Sequence, residues 1–223
     1  MQRKCRRVPR SGTEKILIFE QVAERIANVR FMLRKKRTGK RRADMLQCFY
    51  PTEYVDSTYV IDFEKLYQKG YRGIIFDIDN TLVPHGAKAD ERAKKLFFRL
   101  KQLGYQCCLL SNNKEPRVKM FNDDVHVNYI FDAHKPSTKN YEKAMAIMGT
   151  DKTNTLFVGD QIFTDVYGAN RTGSPTILVK PIHPKVEIQF VLKRYLEKIV
   201  LFFYQRNRKK HAGGNKDENR NWK

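Results

Sequence analysis

Apolar residues recur through the middle of the chain in two alternating patterns. Short unbroken runs stand at Gly73-Ile74-Ile75-Phe76, Tyr105–Leu110, Tyr129-Ile130-Phe131, Thr155–Val158 and Pro175–Val179. They lack helical spacing and predict strands buried on both faces. Helical spacing appears between them. Over residues 89–103, Ala93, Leu96, Phe97, Leu100 and Leu103 share one face, and Gly104 ends the pattern. Pro116–Phe121 predicts a short helix, Ser137–Met148 a helix capped by Ser137 and closed by Gly149, and Thr164–Arg171 a helix that stops at Gly173. Strands alternating with helices predict an α/β fold: a Rossmann-like parallel sheet with helices on both faces. In such sheets ligands gather beyond the carboxyl ends of the strands. Polar residues fall there: Asp77 and Asp79, Ser111 and Asn112, Lys135, and Asp160.

The two ends follow other patterns. Residues 14–34 carry a helical stripe of Ile16, Phe19, Val22, Ala23, Ile26, Val29 and Leu33, followed by the basic run Arg34–Arg42, which reads as an exposed linker. Composition shifts abruptly at Met45, taken as the start of the functional domain and a candidate initiator, with residues 1–44 a basic N-terminal extension. The domain is expected over residues 45–184. Residues 185–210 follow as a basic amphipathic helix, with Ile188, Val191, Leu192, Tyr195, Leu196, Ile199, Phe202 and Phe203 on its apolar face. Residues 211–223 are expected to be a disordered tail.

Length and charge narrow the picture. At 223 residues, 41% of them apolar, the chain suits one α/β domain with tails. Its net charge of +20 is unevenly spread: +11 in residues 1–44, +2 in residues 45–184 and +7 in residues 185–223. A near-neutral domain with basic ends suits contact with an anionic membrane, nucleic acid or ribosomal RNA. Two solvated tails, and a C-terminal helix packed on its own sheet, are the plainer alternatives. Four cysteines without a Cys-x-x-Cys pair suggest a reducing compartment. Cys107 and Cys108 would face opposite sides of one strand. No apolar run is long enough for a transmembrane segment, and no signal peptide is evident. The expected location is cytoplasmic, with peripheral attachment to a membrane open.

Four segments carry candidate chemistry. Asp77-Ile78-Asp79-Asn80-Thr81 sends two carboxylates from one strand end toward one ion and one phosphate. Leu110-Ser111-Asn112-Asn113 places a hydroxyl after the next strand. His134-Lys135-Pro136 supplies a cation able to neutralise a phosphate and a carboxylate nucleophile. Gly159-Asp160-Gln161-Ile162-Phe163-Thr164-Asp165 adds two carboxylates. Clustered carboxylates need a cation among them, and oxygen ligands suit Mg²⁺. His85, just past the first loop, is a candidate substrate contact.

These segments, in this order over roughly residues 46–182, resemble the haloacid dehalogenase superfamily of phosphohydrolases. The resemblance implies that Asp77 is the nucleophile and Asp79 the general acid and base. Ser111, Asn112 and Lys135 would hold the phosphoryl group. Mg²⁺ would sit on Asp77, Asp160 and the backbone carbonyl of Asp79, supported by Asp165. The gaps between motifs hold no room for a cap domain, which leaves an open site for a large or surface-bound substrate. Phe49–Val55, the Asp77–Leu82 variant, Ser111-Asn112-Asn113, His134-Lys135-Pro136 and Gly159-Asp160-Gln161 look like the capless phosphatidylglycerophosphate phosphatase-like branch. That implies a phosphomonoester substrate, a phospholipid one in this branch. A phosphatase acting on a protein or nucleic-acid end, and a ribosome- or RNA-associated binding protein, are the alternatives.

Overall fold

The run Gly73–Phe76 forms a strand with every residue buried, as unbroken hydrophobicity requires of the centre of a parallel sheet. The computed structural model describes residues 47–183, 197–206 and 208, all within one compact unit, Leu46–Lys223. The expected helix over residues 14–34, the basic linker and the tail over residues 211–223 lie outside the described residues.

Six strands, β1 (Glu53–Val55), β2 (Gly73–Phe76), β3 (Gln106–Leu110), β4 (Asn128–Ile130), β5 (Thr155–Gly159) and β6 (Thr176–Val179), pair in the order β1-β6-β5-β2-β3-β4. All five pairings are parallel. Five helices connect them: α1 (Phe63–Gln68), α2 (Glu91–Gln102), α3 (Glu115–Asn122), α4 (Lys139–Met148) and α5 (Tyr167–Thr172). From β2 the chain moves outward through β3 and β4, then returns to build β5 and β6 on the other side of β2. The crevice between the carboxyl ends of β2 and β5 is therefore the switch point, where such sheets bind ligands.

The sheet separates two apolar layers. One holds Ile74, Phe76, Cys107, Leu109, Leu156 and Val158 with residues of α1, α2 and α3. The other holds Ile75, Cys108, Leu110 and Phe157 with Tyr141, Ala144, Met145 and Met148 of α4 and Ala169 of α5. Cys107 and Cys108 do face opposite layers, as strand alternation demands. The helix α2 starts at Asp90, whose carboxylate accepts from Ala93 N at 2.9 Å, and it buries the expected Ala93, Leu96, Phe97 and Leu100.

Three local expectations change. The helix α4 is capped at Thr138 without a side-chain bond, not at Ser137, whose N–H instead closes a turn onto the His134 carbonyl at 2.9 Å. The helix expected from Thr164 begins earlier, as a π-turn over Ile162–Val166 that leads into α5. The edge strand β1 and helix α1 carry weak patterns, and the sheet itself supplies the evidence for them: β1 pairs with β6 from Glu53↔Ile177 to Val55↔Val179.

Of the expected C-terminal amphipathic helix, residues 197–206 are described and helical. Glu197, Val200 and Tyr204 are buried, Tyr204 against Tyr50 with ring centroids 5.5 Å apart. Ile199, Phe202 and Phe203 remain exposed. One face packs on the domain and another stays apolar and open. Among the described residues, no helix is long and apolar enough to cross a membrane.

Candidate active site

Asp77 follows the last residue of β2 and keeps its backbone in the sheet, donating from N–H to Val158 O at 2.9 Å. Asp160 leaves the adjacent β5, while Ser111 and Lys135 follow β3 and β4. Strand order thus gathers four distant segments at one edge. The turn after Asp77 reverses at Asn80, which takes a left-handed φ of 67° that asparagine tolerates better than most residues. Asn80 N then donates to Val83 O at 2.8 Å, and Thr81 Oγ1 returns a bond of 3.3 Å to Asp77 Oδ2. The carbonyls of Thr81 and Leu82 accept from Thr58 Oγ1 at 2.8 Å and Tyr59 Oη at 2.5 Å, so the α1 side of the fold braces this loop.

Lys135 is the buried cation. Its Nζ lies 2.6 Å from Asp77 Oδ1 and 2.8 Å from Asp165 Oδ1. Burial works against its charge, but Asp165 and Asp77 outweigh that and raise its pKa. Asp77, Asp160 and Asp165 are buried, with one carboxylate oxygen from each within 4.8 Å of the others. Burial pushes the Asp77 carboxyl up to about 6, against the pull of Lys135 and with an added push from Asp165. Three clustered carboxylates, two of them paired with one ammonium, leave excess negative charge in a poorly solvated place, which a divalent cation would neutralise. All the donors are hard oxygens, as Mg²⁺ prefers. The residues present therefore fit that ion. Asp165, expected behind the metal, stands in the same cluster, with Oδ2 fixed by Gln161 N at 3.1 Å.

Two other expected residues have protein partners of their own. Asn112 turns both side-chain atoms to the backbone of Lys135: Oδ1 accepts from Lys135 N at 2.7 Å, and Nδ2 donates to Lys135 O at 3.3 Å. Its side chain holds the lysine loop. The Asp79 side chain is held by groups outside the carboxylate cluster. Oδ1 accepts from Gly86 N at 2.7 Å and from Arg117 Nη2 at 2.9 Å, with His85 Nδ1 at 3.5 Å. Oδ2 accepts from Asn113 Nδ2 at 2.6 Å. Ser111 is buried, and its Oγ accepts from Asn113 N at 3.1 Å.

Arg117 and the Gly86 amide escaped the sequence reading, and Asn113 stood in the Ser111-Asn112-Asn113 motif with no role assigned to it. Arg117 carried one usable signal. It lies in the first turn of α3, at the positive end of the helix dipole, where an arginine is disfavoured unless something else holds it.

Comparison with known proteins finds HAD-like and phosphatase relatives. A family profile described as HAD-hydrolase-like matches residues 133–181, which include Lys135, Asp160 and Asp165. The chain is 39% identical over 135 residues to probable phosphatase YqeG of Bacillus subtilis, covering 60% of this chain and 78% of that protein. It is 26% identical to phosphatidylglycerophosphate phosphatase 1, chloroplastic/mitochondrial, of Arabidopsis thaliana, covering 60% of this chain and 41% of that protein. Among solved structures, the deoxy-D-mannose-octulosonate 8-phosphate phosphatase of Haemophilus influenzae aligns over 63% of this chain and 92% of its own, at 15% identity and a TM-score of 0.39.

Proposed function

This chain belongs to the haloacid dehalogenase-like phosphatases, and from that premise we propose that it is a Mg²⁺-dependent phosphomonoesterase acting through a phospho-aspartate on Asp77. The observation that carries the proposal is the buried group of Asp77, Asp160 and Asp165, with Lys135 paired to Asp77 and Asp165. A carboxylate can attack a phosphate dianion only where the repulsion between them is offset. Lys135 supplies part of that offset by direct contact with Asp77. Asp77, Asp160, Asp165 and the Asp79 carbonyl would hold Mg²⁺, which supplies charge neutralisation and polarises the phosphoryl oxygens.

In the first half-reaction an Asp77 oxygen bonds to phosphorus, the ester oxygen leaves, and Asp79 gives that oxygen a proton. In the second, Asp79 takes a proton from water, the hydroxide bonds to phosphorus, and the bond to Asp77 breaks. Phosphate leaves, and both carboxylates return to their starting state. Ser111 is positioned to donate its O–H to a phosphoryl oxygen while its Oγ holds Asn113 N.

The substrate we propose is a phospholipid monoester, phosphatidylglycerophosphate, met by a cytoplasmic enzyme at an anionic membrane. Each sheet connection from β2 to β5 contains one helix, which suits a capless, open site. The likeness to the Arabidopsis enzyme and the exposed Ile199, Phe202 and Phe203 beside Lys198 and Arg206 support the same reading.

Phosphate release from the lipid in anionic vesicles, compared with glycerol phosphate at low and high salt, tests it. Faster hydrolysis of the lipid, with vesicle binding that weakens as salt rises, is expected. Equal rates and no vesicle binding would set the lipid aside in favour of a protein or nucleic-acid phosphate. In the same assay Asp77→Asn is expected to lower turnover by more than about 10³-fold. Loss within tenfold would overturn the nucleophile assignment. Chelator should abolish activity and Mg²⁺ restore it.

A further inference from the structure

We infer that Arg117 recognises the leaving-group side of the substrate, and that the preferred substrates are phosphomonoesters carrying a second anionic oxyacid group beside the ester. The inference rests on the assignment of Asp79 as the group that meets the leaving oxygen, and it names the side chain that would read the second anion of the substrate proposed above.

The site contains two cationic places with different neighbours. Lys135 lies among Asp77 and Asp165, where the transferring phosphoryl group must sit. Arg117 touches neither of them. Its Nη2 and Nε lie 2.9 Å and 3.3 Å from Asp79 Oδ1. A group bonded to Asp79 stands beyond the ester oxygen, on the side of the alcohol that departs. Arg117 is therefore placed to meet that alcohol's substituents.

The state of the guanidinium also points to a ligand. The side chain is only 14% exposed, yet Nη1 is buried and has no hydrogen-bond partner among the described residues. A buried donor left unmet disfavours the arrangement, and folding alone gives no reason to keep one. Placing an arginine in the first turn of α3 adds a second unfavourable term. An oxyanion at this position removes the first cost, because a planar guanidinium can bind Asp79 through one edge and a phosphate or carboxylate through another. To offer Nη1 the guanidinium must turn toward the incoming anion. His85, 43% exposed and with Nδ1 3.5 Å from the same Asp79 oxygen, lines the open side of this place. Asn113 and the Gly86 amide keep hold of Asp79 through 2.6 Å and 2.7 Å bonds, so the carboxylate stays fixed when Arg117 turns. Arg117 is thus a substrate-recognising group and, through Asp79, a positioning one.

The test compares three esters on the full chain. They are glycerol 3-phosphate, which lacks a second anion, the water-soluble glycerophosphoglycerol phosphate, which carries a phosphodiester, and its diacyl counterpart in anionic vesicles. The wild-type protein is expected to favour the soluble phosphodiester over glycerol 3-phosphate in kcat/KM by about tenfold or more, the discrimination one well-placed charged contact gives. Arg117→Gln should reduce that ratio at least about fivefold, through a raised KM for the phosphodiester. Arg117→Lys, which keeps the charge without the fork, should retain part of the ratio. Three results would overturn the inference: a wild-type ratio near one, a loss in Arg117→Gln that is equal for both soluble esters, or a preference seen only with the diacyl lipid. The first and third need no variant and do not depend on how a substituted protein folds. Each of them leaves the phosphatase reading standing, because that reading falls only if Asp77→Asn stays active in the same assay.

Discussion

At Gly159, the last residue of β5, a Cβ would come 2.5 Å from Asp165 Oδ2 and 2.7 Å from Asp165 Cγ. The carboxylate beside Lys135 occupies the space that glycine leaves open. Gly159→Ala must therefore displace Asp165, and with it the oxygen cluster, while β5 keeps its pairing. The expected outcome is weaker Mg²⁺ binding, with the metal needed for half-maximal rate raised by about 10–100-fold, as loss of a group supporting a metal site gives. A titration of rate against Mg²⁺ reads it, and an unchanged curve would show that Asp165 does not serve the metal. Residues of this kind were largely legible beforehand. Asp77, Lys135, Asp160 and Asp165 stand in motifs whose spacing identifies them. Arg117 stands in none, and Asn113, though inside the Ser111-Asn112-Asn113 motif, had no partner assigned, because Asp79 lies 38 and 34 positions earlier in the chain and only folding brings them together.

At the scale of elements, β3 shows how burial sets reactivity. Its adjacent cysteines point into opposite apolar layers, Cys107 against the α1–α3 side and Cys108 against α4 and α5. Burial pushes both thiols up to about 12. An acid with a raised pKa stays neutral over more of the pH range, so at pH 8 a thiol of pKa 12 is thiolate in about one molecule in ten thousand. Maleimide at pH 8 should therefore leave Cys107 and Cys108 unmodified in the native protein and label both in urea, as peptide mass spectrometry would show. Native labelling of either at the rate of a free thiol would contradict the strand's burial. Pattern alone predicted β2, β3, β5 and α2 well, since these are the most continuously buried or the most regularly amphipathic. The edge strand β1, the cap of α4 and the π-turn before α5 depend on partners elsewhere. Ile162 N, for instance, donates to Glu197 Oε1 at 3.3 Å, a bond to a helix at the far end of the chain.

Across the whole molecule, charge and catalysis occupy different segments. Every residue assigned to the site lies between Asp77 and Asp165, in the stretch of net charge +2, whereas residues 1–44 carry +11. A chain shortened to begin at Met45 should fold, hydrolyse glycerol 3-phosphate with unchanged turnover, and bind anionic vesicles less tightly at low salt. Each lost basic residue that had touched the surface would weaken binding by roughly 1 kcal/mol. An insoluble or inactive product would show that residues 14–34 contribute to the catalytic unit.

The sequence by itself determined the class of fold, the alternation of strands and helices from β2 to β6, and which carboxylates and lysine follow the strand ends. Those features follow from periodicity and local spacing, which are properties of neighbours in the chain. Tertiary structure decided what each side chain does once there. It turned Asn112 onto the lysine loop, joined Asp165 to Lys135, and directed Asp79 to Arg117, Asn113 and Gly86. Those outcomes depend on which strand ends lie side by side in the order β1-β6-β5-β2-β3-β4. Hydrogen bonds and ion pairs act over about 3 Å in space, a distance that separation along the chain does not encode.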